Sequence, residues 1–271
     1  MLDFRLCRRV GNSCSFCYQP LMRRLALIFL CVFYAGSLHA EEDNCNDFGA
    51  NSHLPKIVNS KLSVGTKLLC NKGYAVLASS ISHGPLWSAE HLWSDDVEAA
   101  ERLKRAGHFY ADTRFAGSAD LQDYYNSIYD RGHMAPSGDQ PTEASQAETY
   151  ALSNVVPQTA SLNEGIWSRV ERRVRDMADD EGELYVVTGP AFHLRPIQTM
   201  GHDHVYVPSS TWKAVYSPSK NKASAYVCKN AQQHPHCTQV TVATLIRNVG
   251  IDPFPGVSAQ IKAQAWKLPA P

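Results

Sequence analysis

No sign of charge dominates this chain. Its 26 lysines and arginines balance 26 aspartates and glutamates, for a formal net charge of zero. A protein that holds nucleic acid by long-range attraction alone is usually strongly basic, so any such contact here must be local, through a few placed arginines. There is no internal repeat and no low-complexity linker, and the apolar and charged fractions are ordinary, which excludes disordered and collagen-like classes. Membrane-length apolar runs are missing too. The stretch from Leu25 to Ala35 falls short of the roughly 20 residues that a spanning helix needs.

What the N-terminus does have is an export pattern. Met22-Arg23-Arg24 is a positive n-region, Leu25 to Ala35 an apolar h-region, and Gly36-Ser37-Leu38-His39-Ala40 ends on a small residue, as in a secretory signal. Cleavage is expected after Ala40, with Met22 as the true start and residues 1–21 as an over-extended upstream piece. The alternative is an uncleaved anchor. Residues 1–40 carry five arginines and one acid, Asp3; taking these from the totals leaves 21 basic and 25 acidic side chains in 41–271, a net charge of −4. Four cysteines remain there, Cys45, Cys70, Cys228 and Cys237. An even number in an oxidising compartment favours two disulfides, and proximity selects Cys45–Cys70 and Cys228–Cys237 from three connectivities. His234-Pro235-His236-Cys237 has some zinc character, but Cys228 is the only other thiol nearby. Cys14-x-x-Cys17 has no second pair. The expectation is a secreted or periplasmic protein without stable membrane association after cleavage.

Taken in order, Lys67–Cys70 and Gly73–Ala78 read as strands, Trp87–Trp93 as a strand or irregular edge, and Asp96–Arg105 as helix or turn. Tyr129–Pro141 reads as a strand end running into a loop, Glu143–Tyr150 as a short helix, and Tyr150–Val156 as a strand with Asn154 near its end, stopped by Pro157. Leu162–Met177 is the clearest helix. Ile166, Val170, Val174 and Met177 share one stripe, and Asn163, Trp167, Glu171 and Arg175 form an i, i+4 ladder beside it. Glu183–Pro190 is an apolar strand. Val205–Val207 and Thr211–Tyr216 suggest a hairpin around Pro-Ser-Ser, followed by a strand at Ala223–Val227 and a helix or strand at Thr241–Val249. These elements predict a single mixed α+β domain over 41–271.

The chemistry-bearing stretch is Tyr129-Asp130-Arg131-Gly132-His133-Met134-Ala135-Pro136. Histidine titrates near neutrality and can take a proton from water. Asparagine offers a neutral oxygen, and Mg²⁺ needs only one or two protein ligands when water and phosphate complete its shell. Arginine binds phosphate oxygens in pairs. His133 with Arg131, Asn154, Asn163, Glu171 and Arg175 therefore suits phosphodiester hydrolysis. Taken singly, each residue has a plainer reading: a lone histidine is more often structural, a helical asparagine a cap, and Glu171 with Arg175 a surface pair.

As an ordered set, Asp130-Arg131-Gly132-His133-Met134-Ala135-Pro136, Ser153-Asn154-Val155-Val156-Pro157-Gln158, Leu162-Asn163-Glu164-Gly165-Ile166-Trp167, Glu171 and Val187-Thr188-Gly189-Pro190 resemble the DNA/RNA non-specific endonucleases with a ββα-metal (His-Me finger) site. The likeness covers most of 70–260. It implies an α+β fold with a mixed or antiparallel sheet core, and one Mg²⁺ or Mn²⁺ per site. It implies His133 as general base, Asn163 as metal ligand, Glu171 holding metal-bound waters, Arg131 and Arg175 on phosphate, and Asn154 orienting His133 or its loop. The family's upstream phosphate-binding arginine matches Arg105, with Arg102 and Arg114 as alternatives. Asp130 is either a supporting acid or half of an ion pair with an arginine, Trp167 is expected in the core, and Lys213 is either a substrate-side cation or an exposed strand residue. The implied function is an exported endonuclease on DNA and RNA leaving 5′-phosphates, as monomer or homodimer. The alternatives are a phosphodiesterase of the same fold on another substrate, or a non-catalytic nucleic-acid-binding module.

Overall fold

Seven strands pair into one antiparallel sheet, and the rest of the fold is laid on its two faces. The computed structural model describes residues 45–271; the signal-like segment, Met22, and Cys7, Cys14, Cys17 and Cys31 lie outside the described residues. The first half contains β1 (Lys56–Ile57), β2 (Thr66–Cys70), β3 (Ala75–Ser79), β4 (Gly84–Trp93), α1 (Ser94–Glu101), β5 (Tyr129–His133) and α2 (Glu143–Glu148). Then come β6 (Val155–Thr159), α3 (Ser168–Glu181), β7 (Glu183–Ala191), β8 (Thr199–Met200) and β9 (Val205–Tyr206). The chain continues with β10 (Ser210–Ser217), β11 (Lys222–Lys229), β12 (Cys237–Val240), α4 (Val242–Val249), β13 (Ile251–Asp252) and α5 (Ala259–Ala263). The large sheet has the order β12-β11-β10-β7-β4-β3-β2, and β5–β6 is a separate two-stranded ribbon. The architecture is the expected α+β class with an antiparallel core.

Strand periodicity assigns each residue to a face. Trp87, Ala89, Val187, Trp212, Ala214 and Tyr216 bury one face with Val242 and Leu245 of α4. Leu92, Leu184, Val186, Val215 and Tyr226 bury the other against Trp167, Val170, Val174 and Met177. Ser88, Glu90, Thr188, Thr211 and Lys213 fall in phase with this second set, and all five are buried. The register places Ser88 opposite Thr188 and Thr188 opposite Lys213, so three polar side chains form a row across β4, β7 and β10. The β5–β6 ribbon docks on that row. Ser88 donates from Oγ to Asn154 Oδ1 at 2.8 Å, and Gln158 Nε2 donates to Thr211 Oγ1 at 3.4 Å.

Three local expectations are corrected. Asn154 precedes β6 in a 3₁₀ turn, Leu152–Asn154, and Pro157 lies inside the strand opposite Arg131. The Pro157 carbonyl accepts Asn230 Nδ2 at 3.0 Å on the side away from β5. A residue's N and O point the same way in a strand, so the missing N–H costs no ladder bond. Next, β9 pairs with β8, whereas β10 pairs with β7 and β11, so the hairpin is absent. The cause is burial: β10 is covered on both faces and takes a central place in the sheet. Finally, the expected long helix begins as a π-turn, Ser161–Trp167, whose backbone leaves helical geometry at Gly165 (φ −97°, ψ −110°). The wider turn shifts the register, so Trp167 rather than Ile166 joins the fully buried stripe.

Both favoured disulfides, Cys45–Cys70 and Cys228–Cys237, are present. The first closes a sequence separation of 25 and fastens the segment before β1 to the end of β2. Replacing both of its cysteines by serine is expected to lower unfolding free energy by about 3 kcal/mol in urea titrations, from the loop entropy released to the unfolded chain. An unchanged denaturation midpoint would show that this bridge constrains nothing.

Candidate active site

His133 ends β5, where the ribbon meets the sheet. Glycine precedes it for a steric reason: a Cβ on Gly132 would overlap the Gln158 side chain across the ribbon. Asn154 holds the loop that follows. Its Oδ1 accepts the Ala135 N–H at 3.0 Å, and its Nδ2 donates to the Ala135 and Thr149 carbonyls, both at 2.9 Å. Its own carbonyl accepts the Met134 N–H at 2.9 Å. A fully buried asparagine with every polar group used makes this loop rigid. The imidazole is buried against two rings, Phe109 and Tyr150, with centroids at 5.1 and 5.0 Å, and its Nε2 has no hydrogen-bond partner.

A cavity of about 480 Å³ opens beside it, lined by Arg105, Arg131, His133, Asn163, Glu171 and Arg175. Four stretches of the chain thus converge: the end of α1 and the residues after it, β5 with the loop at Pro136–Gly138, Gln146 of α2, and the π-turn running into α3. Asn163 donates from Nδ2 to Asp130 Oδ2 at 3.1 Å. A carboxylate only accepts, so this bond fixes the amide orientation and leaves Oδ1 as the acceptor. One neutral amide oxygen and one carboxylate, Glu171, in a single cavity form a donor set that fits a hard divalent cation. Arg175 is aimed by a 2.7 Å ion pair from Nη1 to the buried Asp139. Arg105 donates from Nε to Tyr150 Oη at 3.1 Å. Arg131 lies over the Phe109 ring at 4.7 Å.

The two titratable groups are displaced in opposite directions. Burial, with the nearby Arg105 charge, pushes the His133 imidazole down to about 3. Desolvation pushes the Glu171 carboxyl up to about 7, against the lowering influence of Lys213, Arg175 and Arg105. Each is thereby held neutral over part of the physiological range until a charge arrives nearby.

The sequence-derived residues Arg105, Arg131, His133, Asn163, Glu171 and Arg175 all line the cavity, and Asn154 stands behind it. Arg102 instead pairs with Glu98 on the exposed side of α1, and Arg114 is spent on Asp112, Asn71 and the Cys70 carbonyl. Asp130 supports Asn163 rather than an arginine. Lys213 is neither a substrate-side cation nor exposed; it is fully buried. Phe109, Tyr150 and Asp139 were not singled out by sequence pattern, and neither were Glu164, Ser168 and Arg172, which also line the cavity. Ser168 is five residues after Asn163, a spacing that shares a face in a π-turn but not in the α-helix expected from the sequence.

A second group, Asp120, Asp123 and His202, brings three potential ligand atoms within 4.8 Å of one another. Asp123 is buried there and accepts the backbone N–H of Asp120 at 3.0 Å and of Asp203 at 2.9 Å. It joins two loops and lines no part of the cavity.

The family model for DNA/RNA non-specific endonucleases matches residues 13–260. A mitochondrial nuclease EXOG of Danio rerio is 33% identical over 199 residues, covering 65% of this chain and 57% of that protein. A nuclease of a Nostoc species is 34% identical over 161 residues, covering 58% and 56%. A salivary endonuclease of Lutzomyia longipalpis is 34% identical over 140 residues, covering 47% and 34%. The chain spans about half the length of the relatives it matches first. Among solved structures, one of the EndoG/EndoGI complex superposes with a TM-score of 0.56 at 25% identity, over 68% of this chain and 84% of that one.

The charge pattern has a pH signature in the metal-free protein. Between about 3 and 6.5 the unfolded chain binds more protons at His133 than the native state does. That contribution to stability is complete above 6.5 and is lost as pH falls toward 3. Glu171 acts oppositely, contributing below 4.5 and losing its contribution as pH rises through 7. Below pH 4.5 only the histidine slope remains of the two. His133→Ala is therefore expected to flatten the fall in urea midpoint between pH 4.5 and 3, and the wild-type imidazole to show no NMR titration near 6.5. An ordinary histidine midpoint would contradict the burial account.

Proposed function

Because the chain belongs to the DNA/RNA non-specific endonuclease family, we propose that it is an exported, metal-dependent endonuclease cleaving DNA and RNA with little sequence preference and leaving 5′-phosphate ends. The observation that carries this reading is the convergence of His133, Asn163, Glu171 and three arginines on one cavity. Export is supported by two disulfides in the described residues, since such bridges persist in oxidising compartments.

In this reading His133 is the general base. Its depressed pKa keeps it unprotonated across the physiological range, and the two aromatic rings fix its plane. An anionic phosphodiester entering the cavity offsets the Arg105 charge and offers the forming imidazolium a counter-charge, which raises its basicity when the proton must move. Arg131 and Arg105, both exposed at the rim, receive the substrate's phosphates, and Arg175, oriented by Asp139, meets the charge that builds on the reacting phosphorus oxygens. Asn163 and Glu171 would hold Mg²⁺ or Mn²⁺, Asn163 directly and Glu171 through bound waters. When bound, such an ion supplies Lewis-acid polarisation of a phosphoryl oxygen and charge for the leaving oxygen. Asn154 contributes rigidity, keeping the His133 loop in place through four buried hydrogen bonds to it and its surroundings.

Purified protein is expected to degrade both plasmid DNA and RNA, and EDTA to abolish this. His133→Ala should lower kcat by about 10²–10⁴-fold, the range for a positioned general base, with KM nearly unchanged. Asn163→Ala should raise the metal concentration needed for half-maximal rate. Full activity of His133→Ala, or cleavage that resists EDTA, would overturn the mechanism.

A further inference from the structure

Lys213 is a fully buried lysine that the proposed mechanism leaves unused. It sits mid-strand in β10, on the face that carries Val215 toward α3. Its ammonium donates to Thr188 Oγ1 at 2.7 Å and to the Met134 carbonyl at 3.4 Å. It also lies 5.6 Å from the centre of the Trp167 ring. Among the described residues no carboxylate lies within ion-pair distance of it. An ammonium taken out of water without an anionic partner is costly, and an apolar side chain of similar size would fill the space at less cost. Stability alone therefore does not account for a lysine here.

Its three contacts belong to three different parts of the site. Met134 is the residue after His133, Trp167 lies between Asn163 and Glu171 in sequence, and Thr188 is the centre of the polar row on the sheet. We propose that Lys213 is a positioning residue, whose buried ammonium sets the His133 loop against the helix that carries Asn163 and Glu171. The inference rests on the nuclease reading for its functional consequence. The lysine therefore acts on the base through its neighbour's carbonyl, and on the helix through the Trp167 ring. It touches neither substrate nor the cavity.

The test compares Lys213→Met and Thr188→Val with wild type in the full chain. Four quantities are measured: thermal midpoint, kcat and KM on plasmid, and the His133 imidazole NMR shifts in metal-free protein. Lys213→Met is expected to stay folded with kcat reduced about 100-fold, the scale for a group misplaced by about 1 Å, and KM changed less than about threefold. The His133 imidazole signals should move in the metal-free protein. Thr188→Val removes one acceptor and leaves the charge, so it should shift the same signals by less and lower kcat by about tenfold. A folded Lys213→Met with wild-type imidazole signals and kcat would overturn the proposal. So would a loss fully explained by its unfolded fraction while Thr188→Val behaves as wild type. Should wild-type protein fail to cut nucleic acid, the nuclease reading falls, and the imidazole shifts still decide whether Lys213 positions His133.

Discussion

Ser88, Thr188 and Lys213 sit side by side on neighbouring strands, buried, on a sheet face that also buries Glu90 and Thr211 among apolar side chains. Buried hydroxyls and an ammonium must be hydrogen-bonded, and only part of that demand is met within the row. The remainder is met by the segment between β5 and β6: Asn154 takes the Ser88 hydroxyl and the Met134 carbonyl takes Lys213. The ribbon carrying His133 is thus held in register by polar satisfaction, which is directional, rather than by apolar packing alone, which is not. On the same face a few residues away, Trp167, Val170 and Val174 pack on Leu184, Val186 and Val215, fixing α3. His133 comes from one of these separately anchored pieces and Glu171 from the other, so the sheet sets the distance between them.

Burial then shapes the electrostatics. Removing water penalises charge on both titratable groups, which depresses the imidazole and raises the carboxyl. Three arginines supply positive charge at the rim of a chain that is neutral overall. The arrangement agrees with the composition: local cationic side chains around one cavity do what a strongly basic surface does elsewhere. Arg175 illustrates the economy of the design, since Asp139 aims it without leaving the pair exposed.

Much of this was legible in the sequence. Asp130 to Pro136 and Asn163 to Glu171 pointed to residues that converge on one cavity, and spacing alone selected both disulfides. Ambiguity among Arg102, Arg105 and Arg114 was inevitable, because the choice depends on which arginine is already paired, and pairing is tertiary. Two misreadings share a cause. Pro157 and the π-turn at Gly165 both break a regular pattern at a place where the surroundings absorb the irregularity, Asn230 in one case and the cavity in the other. Lys213 was misread because lysine in a strand is ordinarily exposed. Its phase with Val215 held the correct answer, but only the register with Thr188 explains how the ammonium is satisfied. Tyr150 and Asp139 left no signal, since ring contacts and ion pairs across distant segments have no local period.

Anomalous diffraction from crystals grown with Mn²⁺ distinguishes the cavity beside His133 from any other cation site among the described residues. A peak is expected within bonding distance of Asn163 Oδ1, with Glu171 reaching it through ordered waters. A peak confined to Asp120, Asp123 and His202, with none beside Asn163, would contradict that expectation.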